Sequence, residues 1–390
     1  MKRSNVLAVV YLMAIILYIS QGILYESTWY SKLSGIYVLL FNLYCTLIVI
    51  IKKQQSSLFL ISVFFSTWTV FIWFISVKTY TVEGEPVSTF AMIQHIALVV
   101  TSLLSFYYIS LSGQIKRSIL LAFTIIIALI YIYNILHFDV ASLGAGEYDY
   151  ANANNKAYSL VALFPFLLLL WDKKWIMIIL MVASLVFIVF CLKRGAMICV
   201  ASFLLITFYM IIRSVKKKNA YKYLIRFSVF IIIVAIVYAF FTVYEDNEFL
   251  QRRFDHGSDA REYIYTKILS GLENSDILEL FIGHGPLSTV TVSGNYAHND
   301  WLEIVYDFGI VGLILYIMIP IAMLKYYKRY TLEEELAGIL ICVLYILLRS
   351  SFSMCVYELD SLLIFGYMGY IIGNHQYISK KTHATMKEVI

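Results

Sequence analysis

The sequence predicts an all-α, polytopic membrane protein with about twelve transmembrane helices and one large extracytoplasmic loop. Of the 390 residues, 61% are hydrophobic and only 14% are charged, and the mean hydropathy is +0.80. A soluble domain of this length would need far more charge on its surface. Apolar stretches of about 20 residues, the length that crosses a bilayer core, recur along the chain. We therefore expect residues 1–390 to form a single integral membrane domain.

The predicted transmembrane segments are separated by polar or charged stretches. They cover residues 6–23, 34–51, 57–77, 91–111, 118–136, 157–171, 175–192, 195–212, 227–243, 301–323, 335–349 and 361–373. The first is expected to be an anchor rather than a cleaved signal peptide, because Met1-Lys2-Arg3 precedes it and no small-residue cleavage site follows. The five cysteines suggest no disulfide framework, since most lie in or beside apolar stretches.

Basic residues are distributed unevenly between the two sides of these segments. Most of the 30 fall on the side that holds the N-terminus, whereas most of the 25 acidic residues fall on the other side. The positive-inside rule then predicts that both termini are cytoplasmic. Residues 137–156 and 244–300 become extracytoplasmic loops, of which the second is the largest. Because the basic residues serve this anchoring, the net charge of +5 indicates no nucleic-acid partner.

Ten basic residues lie on the predicted extracytoplasmic side, against that rule, and two of them, both arginines, are candidates for a functional role. Arg194 occupies a very tight turn, FCLKRGAMICV, between two predicted segments. It could reach lipid phosphates at the membrane surface, or it could bind a substrate phosphate through its forked guanidinium. Arg261 lies in SDAREYIYTKIL, whose apolar spacing predicts a helix inside the large loop. An exposed pair with Asp259 or Glu262 is the alternative explanation for Arg261.

A polar stretch, GNYAHNDWLEIVYDFGIVG, runs from Gly294 to Gly312 into the tenth predicted segment. Asp300 fits a helix N-cap there, and Glu303 three residues later fits a capping box. Neither pattern accounts for His298. A histidine at the end of a membrane helix could be merely solvated, or it could exchange protons near neutral pH in a water-filled cavity.

The same stretch carries a resemblance to a known family. AHNDWLEIVYDFGIVGLILY resembles the HNxxLE…G…G signature of O-antigen polymerases and O-antigen ligases. Three upstream stretches resemble further features of that family in the same order. They are ANNKAYSL at 153–160, an asparagine-bearing segment before a span; KRGA at 193–196, an Arg-Gly turn; and DAREYIY…FIGHG at 259–285, an arginine-bearing loop helix and GxG turn.

The resemblance implies a GT-C-like helical fold and a metal-independent glycosyltransferase that uses no cofactor. Its donor would be an undecaprenyl-diphosphate-linked glycan at the outer face of the bacterial inner membrane. Arg194 and Arg261 would bind the diphosphate and His298 would act as the base, with Glu303 as the second catalytic candidate. The candidates for glycan contacts are Asn154, Asn299 and Tyr263.

The shared signature leaves two reactions open. A polymerase joins the glycan to another lipid-linked repeat, whereas a ligase joins it to a lipid A core. We favour the polymerase, with a flippase and a chain-length regulator as candidate partners, because the chain is small and rich in Ile, Tyr and Lys.

Two other classes of protein are alternatives. A flippase or transporter would need ionisable groups deep in its spans. Apart from Gln94 and His95, the middles of these segments are nearly free of such groups. A structural scaffold would leave Arg194 and His298 unexplained.

Overall fold

The computed structural model describes residues 3–21, 23–24, 29–82, 85–136, 150–191, 193–214 and 259–389. The elements, in chain order, are α1 (Arg3–Ile19), α2 (Trp29–Ile51), α3 (Ser57–Ile75), β1 (Thr79–Val82), β2 (Glu85–Ser88), α4 (Thr89–Leu111), α5 (Arg117–Leu136), α6 (Tyr150–Val161), α7 (Phe164–Leu167), α8 (Lys174–Phe190), α9 (Arg194–Ser214), α10 (Asp259–Glu273), α11 (Ile277–Ile282), α12 (Ser288–Ser293), α13 (Asp300–Tyr327), α14 (Glu333–Phe352) and α15 (Leu362–Val389). Short 3₁₀ turns cover Leu168–Lys173 and Leu359–Ser361.

Helices dominate the described residues, which confirms the predicted all-α membrane class. Seven of the described helices are long and apolar enough to cross a membrane, namely α2, α3, α4, α5, α9, α13 and α14. The chain is therefore a multi-pass membrane protein. Segments 6–23, 175–192 and 361–373 fall on the helices α1, α8 and α15. Segment 227–243 lies outside the described residues, so the total of twelve spans stays a prediction.

The predicted segment 157–171 is not one continuous helix. α6 begins at Tyr150, inside the stretch expected to be a loop, and ends at Val161. α7 and the first 3₁₀ turn then complete the segment. Pro165 explains the interruption, because it has no N–H to donate to Val161 four residues earlier and its ring would clash with that residue's carbonyl.

A two-stranded hairpin interrupts the helices between α3 and α4. β1 and β2 pair antiparallel, with Thr79 opposite Ser88. The Tyr80 hydroxyl lies 3.1 Å from Ser288 Oγ and so ties the hairpin to the first residue of α12. This contact fixes one edge of the loop region that precedes α13.

α13, which lies against α3 and α14, is broken within its length at Gly309. Gly309 has φ 70° and ψ −177°, a conformation that only glycine adopts readily. The carbonyl of Phe308, freed by the break, accepts a hydrogen bond from Trp68 Nε1 at 2.9 Å. The backbone of Gly283 packs directly against Gly309, and a Cβ on either glycine would overlap the other's chain.

The break also supplies acceptors for the turn around His284. The backbone N–H of His284 donates to Tyr306 O and that of Gly285 donates to Asp307 O, both at 2.9 Å. These two carbonyls belong to the last turn before Gly309, where the helical ladder is interrupted. The loop carrying α11 and α12 is therefore docked onto α13 by backbone hydrogen bonds.

Replacing Gly309 by alanine is expected to destabilise the protein by roughly 3 kcal/mol or more, because a strained backbone and an overlap with Phe281 add together. Gly294→Ala is the matched control, since Gly294 also has a positive φ of 78° but has open space where the Cβ would stand. That substitution should cost only about 1–2 kcal/mol. Thermal unfolding in detergent compares them, and equal losses would contradict the packing described for Gly309.

Candidate active site at the start of α13

Three carboxylates recur along the first turns of α13 at helical spacing. Asp300, Glu303 and Asp307 are all completely buried. A buried carboxylate is stable only when hydrogen-bond donors surround it. Each of the three accepts hydrogen bonds from the surrounding loops, although Asp300 Oδ1 has no partner among the described residues, so this face of α13 orders those loops.

Asp300 is the first residue of α13 and not its N-cap, so the N-cap prediction is wrong. The N-cap is Asn299, whose Oδ1 accepts hydrogen bonds from the N–H of Trp301 at 3.0 Å and of Leu302 at 3.3 Å. The Asp300 carboxylate instead accepts a hydrogen bond from the N–H of Cys355 at 2.8 Å. Asp300 therefore joins the start of α13 to the loop after α14.

The predicted capping box is also wrong, because Glu303 stands one residue too far into the helix when Asn299 is the cap. One carboxylate oxygen of Glu303 accepts from the N–H of Ala297 and the other from Thr289 Oγ1, both at 2.5 Å. Ala297 immediately precedes His298. Glu303 thus holds the backbone next to the histidine, and its catalytic candidacy stays a prediction.

Asp307 was not singled out from the sequence. Its two carboxylate oxygens accept from the N–H of Leu287 at 3.0 Å and of Thr289 at 3.1 Å. Leu287 has a φ of 67°, which a non-glycine residue adopts at some cost. Asp307 therefore fixes the start of α12 in a conformation that the local sequence does not favour.

His298 lies between two anchored residues, Ala297 and the N-cap Asn299. Its own backbone has a φ of 51° and its side chain is half-buried. Burial, together with the nearby charges of Arg261 and Lys193, lowers the pKa of His298 to about 4. At neutral pH the imidazole is therefore uncharged and one ring nitrogen can accept a proton.

Arg261 lies on α10, which confirms the predicted helix in the large loop. Ile264 and Ile268 on this helix pack with Ala297 in a small cluster separate from the main core. The Arg261 Nη2 donates to the carbonyl of Phe352 at 3.3 Å. Docking of α10 on Ala297 thus brings a half-buried guanidinium close to His298.

Arg194 and Lys193 lie at the N-terminus of α9. The carbonyl of Lys193 accepts the N–H of Met197 at 3.1 Å, which starts the helical ladder. Arg194 was a candidate from the sequence and Lys193 was not, although the charge of Lys193 contributes to the low pKa of His298. The helix N-terminus adds partial positive charge to these two cations, so this end of α9 favours an anion.

Arg349 is a further cation that sequence analysis did not single out. It is 1% exposed, its Nη1 pairs with Asp360 Oδ1 at 2.7 Å, and its Nε donates to Met354 O at 2.7 Å. Arg349 ends a predicted segment on the side that is predicted to be extracytoplasmic, and acidic residues follow it, which is the signal that could have identified it. Burial raises the pKa of the neighbouring Glu358.

The glycan-contact candidates occupy three different settings. Tyr263 lies on α10 and is 60% exposed. Asn299 uses its side-chain oxygen to cap α13. Asn154 falls within α6, but its side chain lies outside the described part of the chain. The structure thus brings Arg261, Lys193 and His298 together.

Residues 179–317 match the family model described as O-antigen ligase. The matched region begins within α8 and ends within α13, so it contains Arg194, Arg261, His298 and Glu303. Comparison with curated proteins gives no significant match. Residues 179–317, called the O-antigen ligase domain below after the model that they match, support the resemblance of this chain to O-antigen polymerases and O-antigen ligases.

Proposed function

We propose that the protein polymerises undecaprenyl-diphosphate-linked oligosaccharide repeat units into a surface polysaccharide. The observation that supports this most is an uncharged histidine beside fixed cations, His298 with Arg261 and Lys193, inside the O-antigen ligase domain. The distribution of basic residues supports placing this site at the outer face of a bacterial inner membrane, with both termini cytoplasmic.

The proposed reaction is a direct glycosyl transfer. The bond between the anomeric carbon and the diphosphate oxygen breaks, and a hydroxyl oxygen of the acceptor sugar forms the new bond to that carbon. Negative charge develops on the departing diphosphate, where Arg194, Arg261 and Lys193 stabilise it. His298 accepts the proton of the acceptor hydroxyl. Undecaprenyl diphosphate and a longer glycan leave, and no cofactor takes part.

The charges around His298 link donor binding to the base. Burial is the main cause of the low pKa of His298 in the protein alone, and Arg261 and Lys193 contribute to it. A bound diphosphate would offset those positive charges and raise the pKa towards its ordinary value. The imidazole therefore becomes a stronger base once the donor is in place.

Ligation to a lipid A core is the second candidate, and the description of the matched family favours it. A strain lacking the protein distinguishes the two when its lipopolysaccharide is separated on a gel. Loss of the polymerase should leave core carrying one repeat unit, without the ladder of longer chains. Core that carries no repeat unit at all would overturn the polymerase proposal in favour of the ligase.

A role in moving lipid-linked sugars across the membrane has less support. His95 lies on α4 next to Gln94, and its Nδ1 is 3.3 Å from the carbonyl of Tyr357. A hydrogen bond to this backbone carbonyl explains the histidine by packing between segments, without a role in transport. We propose instead that a separate flippase delivers the donor and that a chain-length regulator acts alongside.

Replacing Arg194 by lysine should lower glycan transfer strongly, by about tenfold or more, while the amount of protein in the membrane stays normal. Lysine keeps the charge but loses the forked pair of N–H groups that a diphosphate can engage. Transfer to a purified lipid-linked acceptor measures the effect. A lysine variant as active as the wild type would indicate that Arg194 only contacts lipid headgroups.

A further inference from the structure

Tyr158, on α6, lies against two of the cations near the site but outside the O-antigen ligase domain. The guanidinium carbon of Arg349 is 4.8 Å from the centre of its ring, and Lys193 Nζ is 5.6 Å from it. Both distances are within the range in which an aromatic ring attracts a cation. The Tyr158 side chain is completely buried. The ring therefore contributes to holding two positive charges in place.

The contacts with the two cations explain the position of the Tyr158 ring but not that of its hydroxyl. Among the described residues, Tyr158 Oη has no hydrogen-bond partner. A buried hydroxyl without a partner is costly, and most such groups in proteins are satisfied. The oxygen therefore marks a place where a hydrogen-bonding group from outside the chain would be stabilising.

The position of Gly195 shows where the hydroxyl points. Gly195 is the second residue of α9, and a Cβ at this position would overlap Tyr158 Oη. Only glycine lets the tyrosine approach this closely. The hydroxyl is thus directed at the first turn of a 21-residue helix, immediately beside Lys193 and Arg194.

The first turn of an α-helix is suited to an anion, because its N–H groups have no partner within the helix and the helix dipole is positive there. At α9 two basic side chains add to this charge. A phosphate oxygen placed at the turn would also lie within reach of the Tyr158 hydroxyl. The helix terminus, the cations and the unpartnered hydroxyl therefore converge on one location.

We propose that the diphosphate of the lipid-linked donor is received at the N-terminus of α9 and that the Tyr158 hydroxyl donates a hydrogen bond to one of its oxygens. This inference rests on the proposed function and adds a binding residue to it. Gly195 is then required at its position because any side chain would displace the hydroxyl from the turn.

Tyr158→Phe removes only the oxygen and keeps the ring that contacts Arg349 and Lys193. The matched control is Tyr330→Phe, in the link between α13 and α14 at the other end of α13. Tyr330 is also buried and its hydroxyl also has no partner among the described residues. Both substitutions make the same chemical change, but only the first is near α9.

Binding of undecaprenyl diphosphate to the purified full-length protein is then measured, with inorganic pyrophosphate as a separate ligand. Tyr158→Phe should weaken binding of both ligands by about tenfold to a hundredfold, as expected for a hydrogen bond to a charged group. If Tyr158→Phe weakened the binding of undecaprenyl diphosphate but not of pyrophosphate, the hydroxyl would contact the lipid chain and the assignment would be overturned. Tyr330→Phe should bind as the wild type does, and equal weakening in both variants would also overturn it.

Thermal unfolding separates binding from a structural role. Removing an unpartnered buried hydroxyl should leave the Tm of the ligand-free protein unchanged or slightly higher. A Tm that falls by several degrees in Tyr158→Phe would show that the hydroxyl has a partner within the protein, and the proposal would fail. Wild-type protein that does not bind undecaprenyl diphosphate would instead refute the proposed function itself.

Discussion

Replacing His298 by alanine is expected to abolish long glycan chains while the protein still accumulates in the membrane. A general base contributes about 10²- to 10⁴-fold to a rate, and alanine cannot accept the proton of the acceptor hydroxyl. The side chain is half-buried and precedes the α13 N-cap, so its removal should disturb the fold little. Transfer rates with purified protein and surface-glycan laddering in cells measure the effect.

Glu303→Gln is the comparison that assigns the base. The amide oxygen of glutamine can still accept the N–H of Ala297, so the backbone next to His298 should remain in place with a smaller loss of activity. Both variants must be compared at equal protein level. An inactive Glu303→Gln beside an active His298→Ala would transfer the role of base to the carboxylate.

Replacing Asp360 by alanine is expected to destabilise the protein by about 3–5 kcal/mol, because it leaves a buried guanidinium without its counter-ion. Arg349 is 1% exposed, and its Nη1 lies 2.7 Å from Asp360 Oδ1. The loss should appear as a lower Tm and as less protein in the membrane. Activity per folded molecule reports separately on the active site.

The control for this prediction is a second aspartate paired with an arginine. Asp172 lies 3.4 Å from Arg117, but its side chain is 81% exposed. Asp172→Ala should change the stability by no more than about 1 kcal/mol, because solvent already screens the pair. Similar losses in Asp172→Ala and Asp360→Ala would contradict the role assigned to burial.

The helical framework was largely predictable, because apolar stretches and charged links repeat at a length set by the bilayer. Helix α10 was also predictable, since its apolar spacing shows in a polar loop. The interruption near Pro165 could have been predicted from the proline itself. The spans and the loop helix thus follow from local patterns.

Contacts between distant residues were not predictable in the same way. Asp300 looks like an N-cap in sequence, but its carboxylate accepts from Cys355 and leaves Asn299 to cap the helix. The partner of Arg349 is Asp360, which follows it by only eleven residues, yet nothing local shows that both are buried. The break at Gly309 depends on the approach of Gly283 from another loop.

The proposed mechanism requires His298 to act as an uncharged base, and the pH dependence of transfer tests this directly. His298 is protonated below its pKa of about 4, and a protonated imidazole cannot accept a proton. The kcat/KM should therefore stay level from neutral pH down to about pH 5 and fall as the pH approaches 4. The corresponding midpoint in kcat should lie higher, because a bound diphosphate offsets Arg261 and Lys193. Glu303→Gln should keep the acidic limb. A kcat/KM midpoint at or above the ordinary histidine value of 6.5, or no acidic limb in intact protein, would contradict the account.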